Sequence, residues 1–441
     1  MPLSSPSPLS GVPGVDAALL AEQAGACDET IAALPPKPVR SPEEQRIADA
    51  AHHPVRWLRD RFLLRHGRRV YESATGGFER RPRLAPLAAE VADLYPGLLP
   101  GRARLAEEDG LPQALKEGLA IDQGIFFRRV LGDPVTGEHL VDAMRAPTQR
   151  ALHLLTAFES LGELDLGTVH LERVDDVAHV TLRNLDCLNA ETNELTADLE
   201  TAVDLVLLHQ DVRVGLLRGA EMTHPRYEGK RVFSPGINLK HLHAGRISYT
   251  DFLLGRELGL LSKLRRGLRP DEGDPGSWPH LDVAKPWVAA VDTFAIGGGM
   301  QVLLAVDHVV AADDVYFSLP AAQEGIVPGM ANLRLAALFG GRLTRQVILD
   351  GRRVPAHAPE ARLLCDEVVA PERVGEVAAA AAKRLASPAV AVNRRMIDLA
   401  EEPPDRFRAY AAEFALAQAL RLHSADVLDK VHRFSTAGRA G

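Results

Sequence analysis

Cysteine is scarce in this chain of 441 residues, which holds three cysteines and no Cys-x-x-Cys pair. That scarcity excludes a zinc ribbon and a thioredoxin-type redox site, because both need closely spaced cysteine pairs. A sparse, odd number of cysteines is typical of proteins in a reducing cytoplasm. No lysine or arginine precedes Lys37, so the N-terminus lacks the charged region of a signal peptide. We therefore expect a cytoplasmic protein.

The chain also lacks a surplus of positive charge and a long apolar run. Its 51 Lys and Arg residues against 59 Asp and Glu residues leave a net charge of −8. Nucleic-acid binding depends on a basic surface, so we expect no nucleic-acid partner. The most apolar stretch, residues 287–310, is interrupted by Asp292, Gln301 and Asp307, so we expect no membrane-spanning helix. The hydrophobic fraction of 46% is that of an ordinary globular protein.

Helical patterns dominate the first third of the chain. Residues 1–30, rich in Pro, Ser, Gly and Ala, are expected to begin as a loose tail. Order should set in at Ser41, which forms the signature of a capped helix together with Pro42 and Glu44. Apolar residues then recur at helical spacing without a convincing strand. We therefore predict a helical N-terminal domain over residues 1–160 and, where the pattern returns, a C-terminal helical region over 371–441.

Strand and helix patterns alternate between these two regions, over residues 161–370. Residues 168–182 alternate with period two across an Asp175-Asp176 turn, which predicts a hairpin. We expect helices over 191–209 and 300–306, and strands over 212–217, 287–291 and 308–311. This alternation indicates an α/β core of β-α-β units, whose ligands bind at the carboxyl ends of the strands.

Two glycine-containing turns carry the strongest functional signal. The first, FSPGINLK, covers residues 233–240, and the second, VDTFAIGGGMQ, leads from a buried strand into a helix over residues 291–301. Glycines there permit positive φ and a close approach of a ligand to backbone N–H groups. The three glycines can equally serve tight strand–helix packing. Their spacing is not that of a nucleotide-phosphate loop.

Together the turns resemble those of the enoyl-CoA hydratase/isomerase, or crotonase, superfamily. GINLK is similar to the family's GADIK-type loop, and KPWVAAVDTFAIGGG to its KPVIAAVNG…GGG segment. LERVDDVAHVTLRN with the following LNA, and FSLPAAQEGIVPG, resemble further family elements. The resemblance covers about residues 165–400. It implies a β-β-α superhelix of the α/β class, an acyl-CoA substrate and a homo-oligomer, a trimer or hexamer.

The family shares one chemical step, in which two backbone N–H groups stabilise a thioester enolate. Matched by position, these donors are the amides of Ile237 and Gly298. Removing one such donor typically costs about 10²–10³ in rate. The resemblance further implies that the acyl-CoA is bound by residues in and around the turns, namely Arg183, Pro235, Gly236, Asn238, Leu239, Lys240, Gly297, Glu324 and Val327.

The chain departs from the family at both catalytic carboxylates of a hydratase. Those positions hold Gln301 and Ala321, neither of which can act as a carboxylate acid or base. We therefore expect no ordinary hydration. Glu191, after the LNA element, and Arg256, within an apolar stretch, are candidates for a different set of polar contacts, and Glu324 is a further one. Each can also be a surface or helix-capping residue.

A crotonase core without hydratase acids, preceded by a long helical region, resembles the family's metal- and cofactor-independent dioxygenases. The resemblance implies conversion of 3,5-dihydroxyphenylacetyl-CoA and O₂ to 3,5-dihydroxyphenylglyoxylate and CoA, as in antibiotic biosynthesis. Glu191, Arg256 and Gln301 would then bind the ring hydroxyls, and the helical N-terminal region would cover the acyl pocket or contribute to assembly. The alternatives are a crotonase-fold thioesterase, isomerase or decarboxylase, and a non-catalytic acyl-CoA binding scaffold.

Overall fold

The computed structural model describes residues 9–269, 282–428 and 430. The chain forms two compact units. The first comprises the described parts of Met1–Met144, Leu239–Asp251 and Arg408–Gly441, and the second comprises the described parts of Arg145–Asn238 and Phe252–Phe407. This division differs from the three-part division read from the sequence, because segments distant in the chain pack with the N-terminal helices. No helix in residues 9–269 and 282–428 is long and apolar enough to cross a membrane.

Helices and strands follow one another in the order that the α/β interpretation requires. The helices are α1 (Pro13–Ala32), α2 (Pro42–Thr75), α3 (Leu84–Leu94), α4 (Arg102–Asp109), α5 (Leu119–Gly132), α6 (Pro134–Arg145), α7 (Gln149–Leu161), α8 (Asn193–Leu208), α9 (Leu239–His243), α10 (Gly255–Leu258), α11 (Leu260–Arg266), α12 (Gly298–Leu303), α13 (Ala321–Glu324), α14 (Ala331–Leu349), α15 (Val374–Leu385), α16 (Pro388–Glu401) and α17 (Pro404–Leu422). The strands are β1 (Glu163–Asp165), β2 (Val169–Val174), β3 (Val177–Leu182), β4 (Val214–Gly219), β5 (Trp287–Val291), β6 (Phe294–Ile296), β7 (His308–Ala312), β8 (Tyr316–Ser318), β9 (Val354–Pro355) and β10 (Glu367–Val369).

The first unit is helical, and its N-terminal helices α1 and α2 test two expectations from the sequence. The predicted capping box of α2 is confirmed, since Ser41 Oγ accepts from Glu44 N at 3.2 Å and Glu44 Oε2 accepts from Ser41 N at 2.7 Å. The expected loose tail is wrong, because α1 occupies residues 13–32. Its buried residues Leu20, Ala24 and Ile31 recur at helical spacing and provide the apolar face that orders this segment.

The second unit is built on a seven-stranded sheet in the order β1-β2-β3-β4-β5-β7-β10. The predicted hairpin is confirmed as the antiparallel pair β2–β3, and the remaining neighbours from β3 onward are parallel. β5 occupies residues 287–291 as predicted and is buried throughout, whereas β4 begins two residues later than expected. A second sheet, β6-β8-β9, leads toward α12. This arrangement sets the turn after β6 beside the segment that follows β4.

Candidate active site

The two glycine-containing turns lie side by side. Ser234 of the first turn pairs with Ala295 of the second, and Ile296 N donates to Ser234 O at 2.9 Å. A Cβ added to Gly236, whose φ is +88°, would lie 3.1 Å from Gly298 N. The backbone can approach this closely only because residue 236 is glycine. The two turns that carry the family resemblance therefore lie next to each other.

The predicted amide donors lie on these facing turns. Ile237 follows Gly236 directly, and Gly298 begins α12 after Gly297, whose φ is +54°. Among the residues that the structure describes, neither the Ile237 amide nor the Gly298 amide donates a hydrogen bond to a protein group. Both N–H groups are thus available to an acceptor on a ligand.

A buried asparagine holds the first turn in place. Asn189 is fully buried, and its Nδ2 donates to Leu182 O at 3.1 Å and to Val232 O at 2.7 Å. Ser234 Oγ donates to Asn189 O at 3.1 Å and accepts from Gly236 N at the same distance. Asn189 belongs to the LNA element, but its supporting role and that of Ser234 were not predicted from the sequence.

Glu191 is joined to the site through both its backbone and its side chain. Its N donates to Gly236 O at 2.8 Å, and its O accepts from Asn238 N at 2.9 Å. A Cβ added to Gly298 would lie only 1.8 Å from Glu191 Oε2, so the carboxylate occupies the space that a side chain at residue 298 would need. The carboxylate therefore lies directly beside one of the two predicted amide donors.

Arg256 is the centre of a buried polar group. Its Nη2 donates to Glu191 Oε1 at 2.6 Å and to Gly298 O at 2.8 Å. Its Nη1 donates to Gln301 Oε1 at 2.8 Å and to Glu257 Oε1 at 3.1 Å. Burial lowers the pKa of Arg256, but the two carboxylates outweigh this effect and raise it, so the guanidinium stays charged. We call Glu191, Arg256, Glu257 and Gln301 the Arg256 cluster.

The contact with Arg256 orients the Gln301 amide. Because Oε1 accepts from the guanidinium, the amide nitrogen of Gln301 points away from it and can donate elsewhere. Gln301 is half-buried and is the fourth residue of α12. The structure thus brings together three residues singled out from the sequence, namely Glu191, Arg256 and Gln301, around the predicted amide pair.

Other predicted site residues belong to other elements of the chain. Arg183, at the end of β3, pairs with Asp165 at 2.5 Å. Leu239 and Lys240 belong to α9 of the first compact unit. Glu324 is the last residue of α13, where burial raises the pKa of its carboxyl to about 7. Within the described parts of the chain, the Glu324 side chain makes no hydrogen bond to the Arg256 cluster.

The later loop holds Ala321 and Val327 at the positions matched to the family. Ala321 is buried at the start of α13, where a hydratase would carry its second carboxylate. Val327 O accepts from Gly329 N at 2.9 Å in the turn that precedes α14. This turn reaches the Arg256 cluster through Glu257, whose Oε2 accepts from Met330 N at 3.0 Å. Glu257 was not predicted from the sequence, although it adjoins Arg256 in an apolar stretch.

The likeness to known proteins agrees with this geometry. Residues 273–420 match the family model described as "Enoyl-CoA hydratase/isomerase". The chain is 51% identical over 439 residues to the (3,5-dihydroxyphenyl)acetyl-CoA 1,2-dioxygenase of Amycolatopsis orientalis, and the match covers 100% of both chains. The chain belongs to the enoyl-CoA hydratase/isomerase family. The family identified from its glycine-containing turns is thereby confirmed.

More distant matches cover a smaller part of the chain. A probable enoyl-CoA hydratase of Rhizobium meliloti is 29% identical over 222 residues, which is 50% of this chain and 76% of the relative. The solved structure of Pseudomonas aeruginosa OdaA has a TM-score of 0.50 at 22% identity and covers 61% of this chain and 98% of its own. That likeness shows the crotonase fold. The predicted fold class is therefore confirmed.

Proposed function

We propose that this protein is a dioxygenase that converts 3,5-dihydroxyphenylacetyl-CoA and O₂ to 3,5-dihydroxyphenylglyoxylate and CoA without a metal or organic cofactor. The observation that carries the proposal is the 51% identity to a (3,5-dihydroxyphenyl)acetyl-CoA 1,2-dioxygenase over the whole chain. That match includes the helical N-terminal third, which ordinary hydratases lack. Loss of both hydratase carboxylates, at Gln301 and Ala321, supports the same conclusion.

The first step is formation of an enolate. The thioester carbonyl acidifies the benzylic carbon, and the Ile237 and Gly298 amides donate to the carbonyl oxygen as it becomes negative. Two features support these roles: the amides lie on facing turns, and within the described residues they donate to no protein group. The enolate forms by loss of one α-proton, and the electron-rich ring makes the resulting carbanion able to reduce O₂.

Oxygen then adds to the α-carbon, and the products follow by a balanced sequence. The new peroxide attacks the thioester carbonyl, where a C–O bond forms as the C–S bond breaks and CoA leaves as a thiolate. Loss of the second α-proton with cleavage of the O–O bond gives the 2-oxo acid. The α-carbon loses four electrons and O₂ gains four. No further oxidant or reductant is needed, which supports a cofactor-free reaction.

Three members of the Arg256 cluster, namely Glu191, Arg256 and Gln301, supply the proposed contacts to the ring. The Gln301 amide nitrogen is free to donate to a ring hydroxyl oxygen, while Arg256 provides positive charge and holds both Gln301 and Glu191. Glu191 can accept from a hydroxyl through Oε2, because Oε1 already serves Arg256. We also propose that the acyl group is bound by the residues of both turns, and that Glu324 and Val327 lie on the loop facing it.

The test is simultaneous measurement of oxygen uptake and CoA release after exhaustive chelation. We expect one CoA released for each O₂ consumed from 3,5-dihydroxyphenylacetyl-CoA, with and without chelator. Loss of activity on chelation and its recovery with a transition metal would show that the reaction is not cofactor-free. CoA release without oxygen uptake would indicate a thioesterase, and binding without turnover a scaffold.

The wider setting is part of the same proposal. The product is a 2-oxo acid, which an aminotransferase can convert to dihydroxyphenylglycine for antibiotic biosynthesis. Three free cysteines fit a cytoplasmic location.

We propose a homo-oligomer, a trimer or hexamer, and expect light scattering to give a mass of three or six times 47.7 kDa. A monomer under assay conditions would contradict this part.

A further inference from the structure

Glu257 is a buried carboxylate for which the proposed reaction has no direct use. It is 3% exposed and lies on α10 next to Arg256. Its Oε1 accepts from Arg256 Nη1 at 3.1 Å, and its Oε2 accepts from Met330 N at 3.0 Å. Each oxygen thus holds a different segment, one the guanidinium and the other the turn before α14. The carboxylate joins two parts of the site.

The turn before α14 is shaped around this carboxylate. A Cβ added to Gly329 would lie 2.1 Å from Glu257 Oε1 and 2.3 Å from its Cδ. Gly329 also has a φ of +46°, which side chains rarely adopt. Only glycine allows the backbone at residue 329 to pass so close to Glu257. The position of Glu257 and the path of this turn therefore depend on each other.

Arg256 Nη1 links Glu257 to Gln301. This nitrogen carries two hydrogens, and one is donated to Glu257 while the other is donated to Gln301. The opposite nitrogen, Nη2, is held by Glu191 and Gly298 O. Without Glu257, the Nη1 side of the guanidinium would be held by Gln301 alone, and the Gln301 amide would lose its fixed orientation.

We propose that Glu257 is a positioning residue, which fixes the Arg256 guanidinium against the turn at Met330 and so aims the Gln301 amide at a hydroxyl of the substrate ring. This inference rests on the proposed function and deepens it, because it assigns recognition of the ring hydroxyls to a residue that does not touch the substrate. A buried hydrogen bond to a charged group is strong enough to hold a side chain in one orientation.

The variant that tests this role is Glu257→Gln, which keeps the size of the side chain. An amide has one acceptor oxygen, whereas Arg256 Nη1 and Met330 N are both donors, so one of the two hydrogen bonds must be lost. Arg256 still pairs with Glu191 at 2.6 Å, so no buried cation is left without a partner. The variant is therefore expected to fold.

The readout is the ratio of two dissociation constants, measured without oxygen by calorimetry. We expect Glu257→Gln to weaken binding of 3,5-dihydroxyphenylacetyl-CoA about tenfold, the equivalent of one well-made hydrogen bond to a charged group. Binding of phenylacetyl-CoA, which lacks the ring hydroxyls, should change less than about twofold by the same reasoning. Gly329→Ala, which displaces Glu257 from the other side, should have the same pattern of effects.

Glu402→Gln is the matched control. Glu402 is 4% exposed and pairs with Arg334 at 3.0 Å and with Arg266 at 2.9 Å, but makes no contact with Arg256. Changing it replaces another buried, arginine-paired carboxylate by an amide. We expect the ratio of the two dissociation constants to stay at the parental value.

Three results would overturn the proposal. The first is a ratio of dissociation constants in Glu257→Gln or in Gly329→Ala that equals the parental ratio. The second is equal weakening of the binding of both thioesters, which indicates a merely structural role. The third is a parent protein that binds both thioesters equally well. If the parent distinguishes the thioesters but consumes no oxygen, the proposed reaction fails while the role of Glu257 in recognition is still decided by the ratio.

Discussion

Gly298→Ala provides the sharpest perturbation of the candidate site. The added Cβ would lie 1.8 Å from Glu191 Oε2, whereas ordinary contact begins at 3.4 Å, so the carboxylate must move by the difference, about 1.6 Å. Such a movement breaks the 2.6 Å ion pair with Arg256. Alanine keeps the backbone N–H of residue 298, so the loss of rate comes from displacement of this donor and of Glu191. A displaced oxyanion donor can cost as much as a missing one, about 10²–10³ in rate, and disruption of a buried ion pair costs about 3–5 kcal/mol of stability.

The assay measures CoA release together with denaturant unfolding. We expect Gly298→Ala to lower kcat by at least about 100-fold. The double variant Gly298→Ala/Glu191→Ala removes the clashing carboxylate, so it should be more stable than Gly298→Ala without recovering activity. Gly25→Ala is the control, because its Cβ meets nothing within 4 Å. It should leave activity unchanged and stabilise α1 slightly.

Two results would refute this reasoning. Parental kcat and stability in Gly298→Ala would mean that Glu191 does not lie where the structure has it. Equal stability of Gly298→Ala and the double variant would mean that the damage does not come from the Glu191 carboxylate.

Three further predictions concern the charge of residues singled out from the sequence. Arg256→Ala leaves Glu191 and Glu257 without their cation, so we expect about 3–5 kcal/mol lower unfolding free energy in denaturant and strongly reduced CoA release. Gln301→Glu adds a third carboxylate around one guanidinium, next to the forming enolate, and should suppress oxygen uptake at an electrode at least about tenfold. Burial raises the pKa of Glu324 to about 7, above its unfolded value of 4.5. The folded state therefore favours the protonated carboxyl, and this contribution is present below pH 4.5 and lost as pH rises through 7. Glu324→Gln should match the parent in stability near pH 4.5 and exceed it by about 1–3 kcal/mol at pH 8, measured by denaturant unfolding.

Local patterns account for the parts of the fold that the sequence predicts well. β5 is an unbroken apolar run, and the β2–β3 hairpin alternates around an Asp-Asp turn, so each element is specified within a few residues. The helix cap at Ser41 is equally local. α1 was missed because its buried face consists partly of small residues such as Ala24, whose weak hydrophobicity hides the helical spacing among Pro, Gly and Ser.

The candidate site, too, can be predicted from local patterns only in part. A lost acid is visible in the sequence, since the identity of residue 301 alone excludes a carboxylate there. The polar contacts that take the place of the carboxylate depend on residues far apart in the chain. Glu191 and Gly298 are separated by more than 100 positions, yet the carboxylate fills the space of the missing side chain. Nothing in either local pattern encodes that contact.

Glu257 shows why neighbouring charges in a sequence do not reveal their joint role. Consecutive residues of a helix point about 100° apart, so an Arg-Glu pair is ordinarily two independent side chains. Here both are buried, and the turn at Gly329 and Met330 closes over the carboxylate. The joint role of Arg256 and Glu257 depends on a segment that lies more than 70 residues later in the chain. If Glu257 has the positioning role proposed above, specificity for the ring depends on how three segments meet, and substitutions at residues 257 and 329 should change recognition together.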